Sequence, residues 1–360
     1  MKFRKSIAGI YGAALVAGLT LLVGPQLQPT SGRTPVPTVV PTQTPNTDLT
    51  PVPTESLVGS VQTPAPTEAP NPLLQDVLYP VTEEALTTFI TDYLNAYYTN
   101  DSMMLSTLVS DASMINTSRM ESDADGFSEI TDLTLFSRPG FREVQQVIYA
   151  SYTVNYDDSR SPLPLFSEFY LVNNNGHYML FNGILTPDTE DALMAARQTD
   201  TVMKLAVSSL IRRYHNACLD GNEDLLKKNV KNPSFLDMDY LESRFHYTES
   251  FDDYEITLFS GINEIDYIVI ATYSEKLVLI DTPAPCMESY FIHLDTYTAT
   301  PYIYLGVISK ETEAFTNAII QTPLVQELAE QTNKAMEDAL LKDDDLKSFY
   351  QRLSEGSNQQ

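Results

Sequence analysis

The residues Tyr149-Ala-Ser-Tyr152, then Pro162-Leu-Pro164 and Leu165-Phe-Ser-Glu-Phe-Tyr-Leu171, decide the fold, because the chain uses them twice. Ala271-Thr-Tyr273, Pro283-Ala-Pro285 and Cys286-Met-Glu-Ser-Tyr-Phe-Ile292 repeat them without a gap at an offset of 121. Aromatic falls on aromatic at Phe169/Tyr290 and at Tyr170/Phe291. Proline has no N–H for a strand ladder, so each Pro-x-Pro belongs at a strand start or a sheet edge. The repeated unit reads as strand, proline-marked corner, strand.

Working outward, period-two apolar patterning predicts strands at Ile130–Ser137, Glu143–Val154, Leu165–Val172 and His177–Ile184. Arg138-Pro-Gly140 separates the first pair and Asn173-Asn-Asn-Gly176 turns the last. Ahead of them, Thr82 is a candidate N-cap, and Phe89, Ile90, Tyr93, Leu94 and Tyr97 recur at helical spacing. A turn at Asn100-Asp101 leads to a short second helix, Met103 to Val109. The whole series then starts again after a helix opened by Thr186-Pro187. Leu210-Ile-Arg-Arg-Tyr214-His-Asn216-Ala217 overlays Phe89-Ile-Thr-Asp-Tyr93-Leu-Asn95-Ala96, and strands follow at Tyr254–Ser260, Asp266–Ile280, Cys286–Leu294 and Pro301–Ile308. A period of 121 exceeds the roughly 20–50 residues of a solenoid unit, so it reads as a duplicated domain. The expected division is 76–198 and 199–321, followed by amphipathic helices at Leu324–Leu341 and Leu346–Leu353 (322–360) that cover the second domain.

Residues 1–24 read as a signal anchor, with a cleaved signal peptide as the alternative. Lys2, Arg4 and Lys5 precede an uncharged run from Ile7 to Val23. Basic residues inside place the remainder outside the cytoplasm, either held at the membrane or secreted. Residues 25–72 hold twelve prolines among threonines, an extended Pro/Thr-rich linker able to span up to about 150 Å. From residue 73 onward there are 18 basic and 45 acidic side chains. Such a surface repels phosphate, so nucleic acid is not an expected partner, and the membrane is met only through the N-terminal segment. Two cysteines exclude a disulfide framework and a four-thiolate zinc site. Both replace core positions, Cys218 standing opposite Tyr97 and Cys286 opposite Leu165; free buried thiols are expected, with a disulfide between them as the alternative outside the cytoplasm.

Helix, short helix and a four-stranded antiparallel meander resemble the NTF2-like (SnoaL-like) superfamily of curved-sheet cones. The match is carried by Tyr93-Leu-Asn-Ala-Tyr-Tyr-Thr-Asn-Asp101 with Leu105 and Leu108, and by Tyr214, Ala217, Asn222, Leu225 and Leu226 in the second copy. The resemblance covers roughly 76–188 and 200–312, and it implies an α+β chain of two tandem cones behind a membrane segment and a linker. The same fold carries both enzymes and inert binding modules, so it licenses no activity. Relatives such as ketosteroid isomerase set a helix-one tyrosine against a carboxylate base. Tyr93 and Tyr214 match the tyrosine, whereas the base position falls at Thr117 in copy one and at Met238 in copy two, flanked by Asp237 and Asp239. Tyr214 with Asp237 or Asp239 is therefore the one catalytic candidate. It stands against the commoner role of such a tyrosine, which is core packing.

His177, His215, His246 and His293 lack metal-ligand spacing and read as core or surface residues. No phosphate loop or nucleophile elbow is present, and no cofactor or metal is expected. Tandem cones on one anchor resemble the conjugation-channel proteins of Gram-positive bacteria. The expected function is non-catalytic: an extracytoplasmic protein that binds another envelope protein, self-associates or braces an assembly. The alternative is a second cone that binds a small apolar ligand or works like ketosteroid isomerase.

Overall fold

A computed structural model describes residues 78–357 apart from 159, 175 and 176, together with Thr20 and Leu21, which run parallel to Glu288 and Ser289. The rest of the expected signal anchor and the Pro/Thr-rich linker lie outside the described residues. Among the described residues no helix is long and apolar enough to cross a membrane.

The chain is α+β, with helices packed on two largely antiparallel sheets. Its first half opens with β1 (Tyr79–Pro80), α1 (Glu84–Tyr98), α2 (Ser102–Leu108) and α3 (Thr117–Ala124). A meander follows: β2 (Phe127–Phe141), β3 (Val144–Tyr156), β4 (Leu163–Asn174) and β5 (His177–Leu180), paired in the order β1-β2-β3-β4-β5. Two helices then lead onward, α4 (Pro187–Arg197) and α5 (Asp200–Leu219). The second half repeats the series as α6 (Glu223–Asn229), β6 (Val230–Lys231), α7 (Met238–Phe245), β7 (Thr248–Ser260), β8 (Asp266–Leu277), β9 (Ala284–Leu294) and β10 (Pro301–Tyr304). Its sheet runs β6-β10-β9-β8-β7. Three helices end the chain: α8 (Lys310–Ile320), α9 (Pro323–Lys342) and α10 (Asp344–Ser357).

Local chemistry explains the boundaries. Asn100 and Gly221, both left-handed at φ 56 and 60, end the helices before them at the same repeat position. One residue later, Asp101 and Asn222 cap α2 and α6 through Met104 N and Leu225 N. Asn116 and Asp237 do the same for α3 and α7, two helices absent from the sequence-based expectation. The helix expected to be capped by Thr82 instead starts at Glu84 without a side-chain cap. Pro162 and Pro283 each stand one residue before a strand begins, as a missing donor requires. Arg138-Pro-Gly140 does not break the sheet, because β2 is an edge strand there and Pro139 sits opposite Gln146. Gly140 is needed for close approach: a Cβ would stand 2.0 Å from the Val144 carbonyl oxygen. Both outer strands bulge at one repeat position, where Asp132 and Asp253 take φ 54 and 55. A twisted, acid-bearing edge discourages strand-on-strand aggregation.

The halves are not separate beads. One face of α5 places Val202 with Val144, Val147 and Tyr149 on the outer side of the first sheet. Its other face sends Leu210, Ile211 and Tyr214 into the core of the second. The boundary expected at 198/199 falls between α4 and α5, and both halves belong to one compact unit. A two-residue insertion in the last hairpin moves the offset to 123, since Leu171 faces Leu180 but Ile292 faces Ile303. At that offset α8 and α9 coincide residue for residue with α4 and α5. Val325 accordingly packs with Ile270 and Met287 as Val202 does with the first sheet, so α9 covers the second sheet. The positions of α9 matching Val207, Leu210, Ile211 and Tyr214 are Glu330, Asn333, Lys334 and Glu337, all exposed. The face of α9 that corresponds to the core-seating face of α5 is therefore polar.

Candidate functional site

The first half encloses an apolar core: Leu86, Ile90 and Leu94 of α1 pack on Ile148, Val154 and Phe169. In the second half matching positions carry polar or charged side chains. His215 takes the place of Leu94, Tyr254 of Leu133, Tyr290 of Phe169 and Glu288 of Ser167. Glu275 stands for Val154, Arg244 for Asp123, Thr248 for Phe127 and Cys286 for Leu165. These side chains converge between α5, α7 and the inner face of the sheet.

His215 is fully buried, with the rings of Phe251 and Tyr273 at 4.5 and 5.0 Å. Its Nδ1 lies 2.7 Å from the Tyr254 hydroxyl and its Nε2 lies 2.7 Å from the Tyr290 hydroxyl. Tyr290 donates to Glu288 Oε2 at 2.5 Å, so its oxygen accepts from Nε2–H of His215. Arg244 sits between two carboxylates, 3.2 Å from Glu275 and 3.6 Å from Glu288. Thr248 donates to Glu275 at 2.5 Å and the Cys286 thiol does so at 3.5 Å. Burial opposes the charge on Glu288, but hydrogen bonds from His215 and Tyr290 and the Arg244 charge hold its carboxyl down at about 2. Burial, reinforced by Glu288, pushes the Tyr254 and Tyr290 phenols well above their ordinary value.

A buried ionic cluster stabilises a fold no better than apolar side chains of similar size, and often less well. The first half demonstrates the apolar solution on the same scaffold. What the cluster provides is a set of acids and bases of fixed geometry, each occupied by a neighbour.

The catalytic candidates read from sequence are not assembled. Tyr214 is buried beside Cys218, with which it shares a hydrogen bond. Asp237 is exposed and engaged as the α7 cap, 3.0 Å from Tyr240 N, and Asp239 is exposed in the first turn. The carboxylate whose charge acts on Tyr214 is Glu288. Thr117 and Met238 are the first residues of α3 and α7. Cys218 and Cys286 are both free; Cys218 is buried as expected but Cys286 is only half-buried, and desolvation raises both thiols well above their usual range. Reading the sequence misses His215, Glu288 and Arg244. The signal is a subtraction of one copy from the other, which exposes Leu94→His, Val154→Glu and Phe169→Tyr as polar replacements at core positions.

Among the described residues no group of three or more His, Cys, Asp or Glu is placed to hold a metal ion. No family model matches the chain, and no curated protein matches it.

Proposed function

We propose that this chain is a non-catalytic, membrane-anchored extracytoplasmic protein whose tandem NTF2-like cones present surface to another envelope protein or brace an assembly. One observation carries the reading. His215 has both nitrogens occupied, and Glu275, Glu288 and Arg244 are engaged with one another or with Thr248 and Tyr290, while the Tyr273 hydroxyl is buried with no hydrogen-bond partner among the described residues. A general base needs a substrate proton within hydrogen-bond reach, and these contacts hold His215 and both carboxylates to partners inside the second half. The helix α5, packed on both sheets, adds a rigid joint suited to bearing load rather than to opening for a ligand. The N-terminal anchor and the linker supply the reach. Protease applied to intact cells of the native host should remove both cones and leave a short membrane-embedded stub; intact protein in the cytosol contradicts the reading.

A second reading is favoured by the confinement of the polar cluster to one cone. Arg244 and Glu288 keep 13% and 14% of their side chains exposed, so the cluster has a solvent-facing rim. In this reading the second cone handles a small carbonyl compound by acid–base chemistry through His215 and Glu288. Turnover that vanishes in Glu288→Gln while the fold is retained would select it.

A further inference from the structure

The face of α5 that lies on the outer side of the first sheet turns from apolar to polar along its length, as Val202 gives way to Ser209, Arg213 and Asn216 at helical spacing. Asn216 donates to the Pro162 carbonyl at 2.6 Å, and the Arg213 guanidinium approaches the Pro164 carbonyl through Nη1 at 3.5 Å. Through Nε the same guanidinium donates at 2.7 Å to Asn229 Oδ1, at the end of α6. The equivalent residue of α1 is the exposed Asp92, and that of α9 is Met336.

Among the described residues Arg213 has no carboxylate within 4.0 Å, and its Nη2 has no protein acceptor. Burial holds its pKa below the ordinary value for arginine, against the pull of Tyr302. The Asn229 amide nitrogen is also unfilled: the residue is 2% exposed, and among the described residues this atom has no hydrogen-bond partner. The buried Thr153 hydroxyl is likewise unpartnered, and Thr153 lies directly across from Pro164, whose carbonyl Arg213 approaches. Buried charge is ordinarily paired, because an unpaired ion out of water is costly. What this arrangement lacks is an anion.

We propose that Arg213 and Asn229 form a binding site for one carboxylate group. The guanidinium offers Nη2 and the carboxamide offers Nδ2, a pair of N–H donors that suits the two oxygens of a carboxylate. Lys231, which also acts on Asp295, holds its ammonium 5.7 Å from the centre of the Tyr302 ring and adds a second positive charge near the same tyrosine. Arg213, Lys231 and Tyr302 are each half-buried, so the site is reached from solvent. The net charge of −26 repels a phosphate dianion more than a singly charged carboxylate, and a neutral ligand would leave the guanidinium uncompensated. The first half carries Asp92 and Leu108 at the matching positions, which confines the site to the second half. The site stands whether or not the cones bind another protein.

The test is an NMR titration of the full-length chain with sodium acetate and with a capped Gly-Glu-Gly peptide, against sodium chloride at equal ionic strength. The Arg213 Nε–H and Asn229 Nδ2–H resonances should shift saturably with both carboxylates and not with chloride. Tighter binding of the peptide names a partner's acidic side chain as the source, and equal binding names a free acid. Arg213→Met, the residue of α9 at this place, should abolish the Asn229 shift. Asn229→Asp supplies the carboxylate from within the chain, so it should abolish the Arg213 shift and raise the melting temperature by about 2–4 °C. Three results would overturn the proposal: no saturable shift in the parent at millimolar acetate, equal shifts with chloride, or an Arg213 resonance that still responds to acetate in Asn229→Asp.

Discussion

Arg197 at the end of α4 donates through Nε to Glu168 Oε2 at 2.7 Å, and the same guanidinium reaches the Thr298 carbonyl of the second half at 2.9 Å. Its remaining nitrogen donates to the Tyr170 hydroxyl at 2.7 Å, and Tyr170 in turn donates to Glu168 at 2.9 Å. A planar fork with three fixed acceptors joins the two halves more stiffly than a lysine would.

Replacing Arg197 with Ala should remove that joint. Each hydrogen bond to a charged group is worth about 1.5–3 kcal/mol, and Glu168 is left with its charge half-buried. The expected loss is about 2–3 kcal/mol, with thermal unfolding that separates into two steps. A single transition at the parent temperature in calorimetry contradicts the coupling.

The Glu288 carboxyl has its folded-state value depressed to about 2 from an ordinary 4.5. A depressed acid contributes stability that is fully present above the ordinary value and is lost as pH falls through the folded one. Stability of the parent should therefore decline from about pH 4.5 towards pH 2, and Glu288→Gln should flatten that decline. Glu143, held at about 2 chiefly by the Thr186 backbone N–H, titrates over the same window, so only the difference between parent and variant is diagnostic. Denaturant midpoints across that range give the answer, and identical slopes would remove Glu288 from the network.

Converting the second half's cluster to the first half's residues tests whether the polar network is a cost. His215→Leu alone strands the Tyr254 hydroxyl in the core and leaves Tyr290 with Glu288 only, and should lose about 2–3 kcal/mol. The combination His215→Leu, Tyr290→Phe and Glu288→Ser removes the partners together and should lose less than the sum of the single changes. Additive losses in urea unfolding would mean that the groups do not act as one network.

Thiol titration should find Cys218 unreactive in the folded state and two thiols on unfolding without reductant, because burial raises the Cys218 thiol, while the half-buried Cys286 reacts slowly because its thiol is raised as well. Rapid modification of Cys218 in the folded protein contradicts its placement in the core.

Much of this architecture is legible in the sequence, and the reasons are local. The Pro-x-Pro pairs mark where β4 and β9 begin because a missing donor leaves little choice. The helix faces follow from spacing. Reading β2 as ended by Pro139 fails because edge position, a tertiary property, is what tolerates the proline. The helices α3 and α7, eight residues each, are too short for periodicity to declare, although Asn116 and Asp237 cap both. The sharing of α5 between two sheets is hidden because a helix with two apolar faces looks like one with a wide face. The polar cluster is hidden for a different reason: His215, Arg244, Glu275 and Glu288 lie far apart in the chain, and only the fold brings them together.

Under the proposed function, surface presentation rather than chemistry inside the second half is what this protein contributes. Ile184 and Val307 occupy equivalent places in the two halves and are 91% and 69% exposed. The most direct measurement compares Ile184→Asp/Val307→Asp with His215→Gln/Glu288→Gln in the native host, scoring in-cell cross-linking to envelope proteins after melting curves establish that each variant folds. The account predicts that the surface variant loses its cross-links and the interior variant keeps them. Retained cross-links in the surface variant, together with loss of the host phenotype in a folded interior variant, would contradict it.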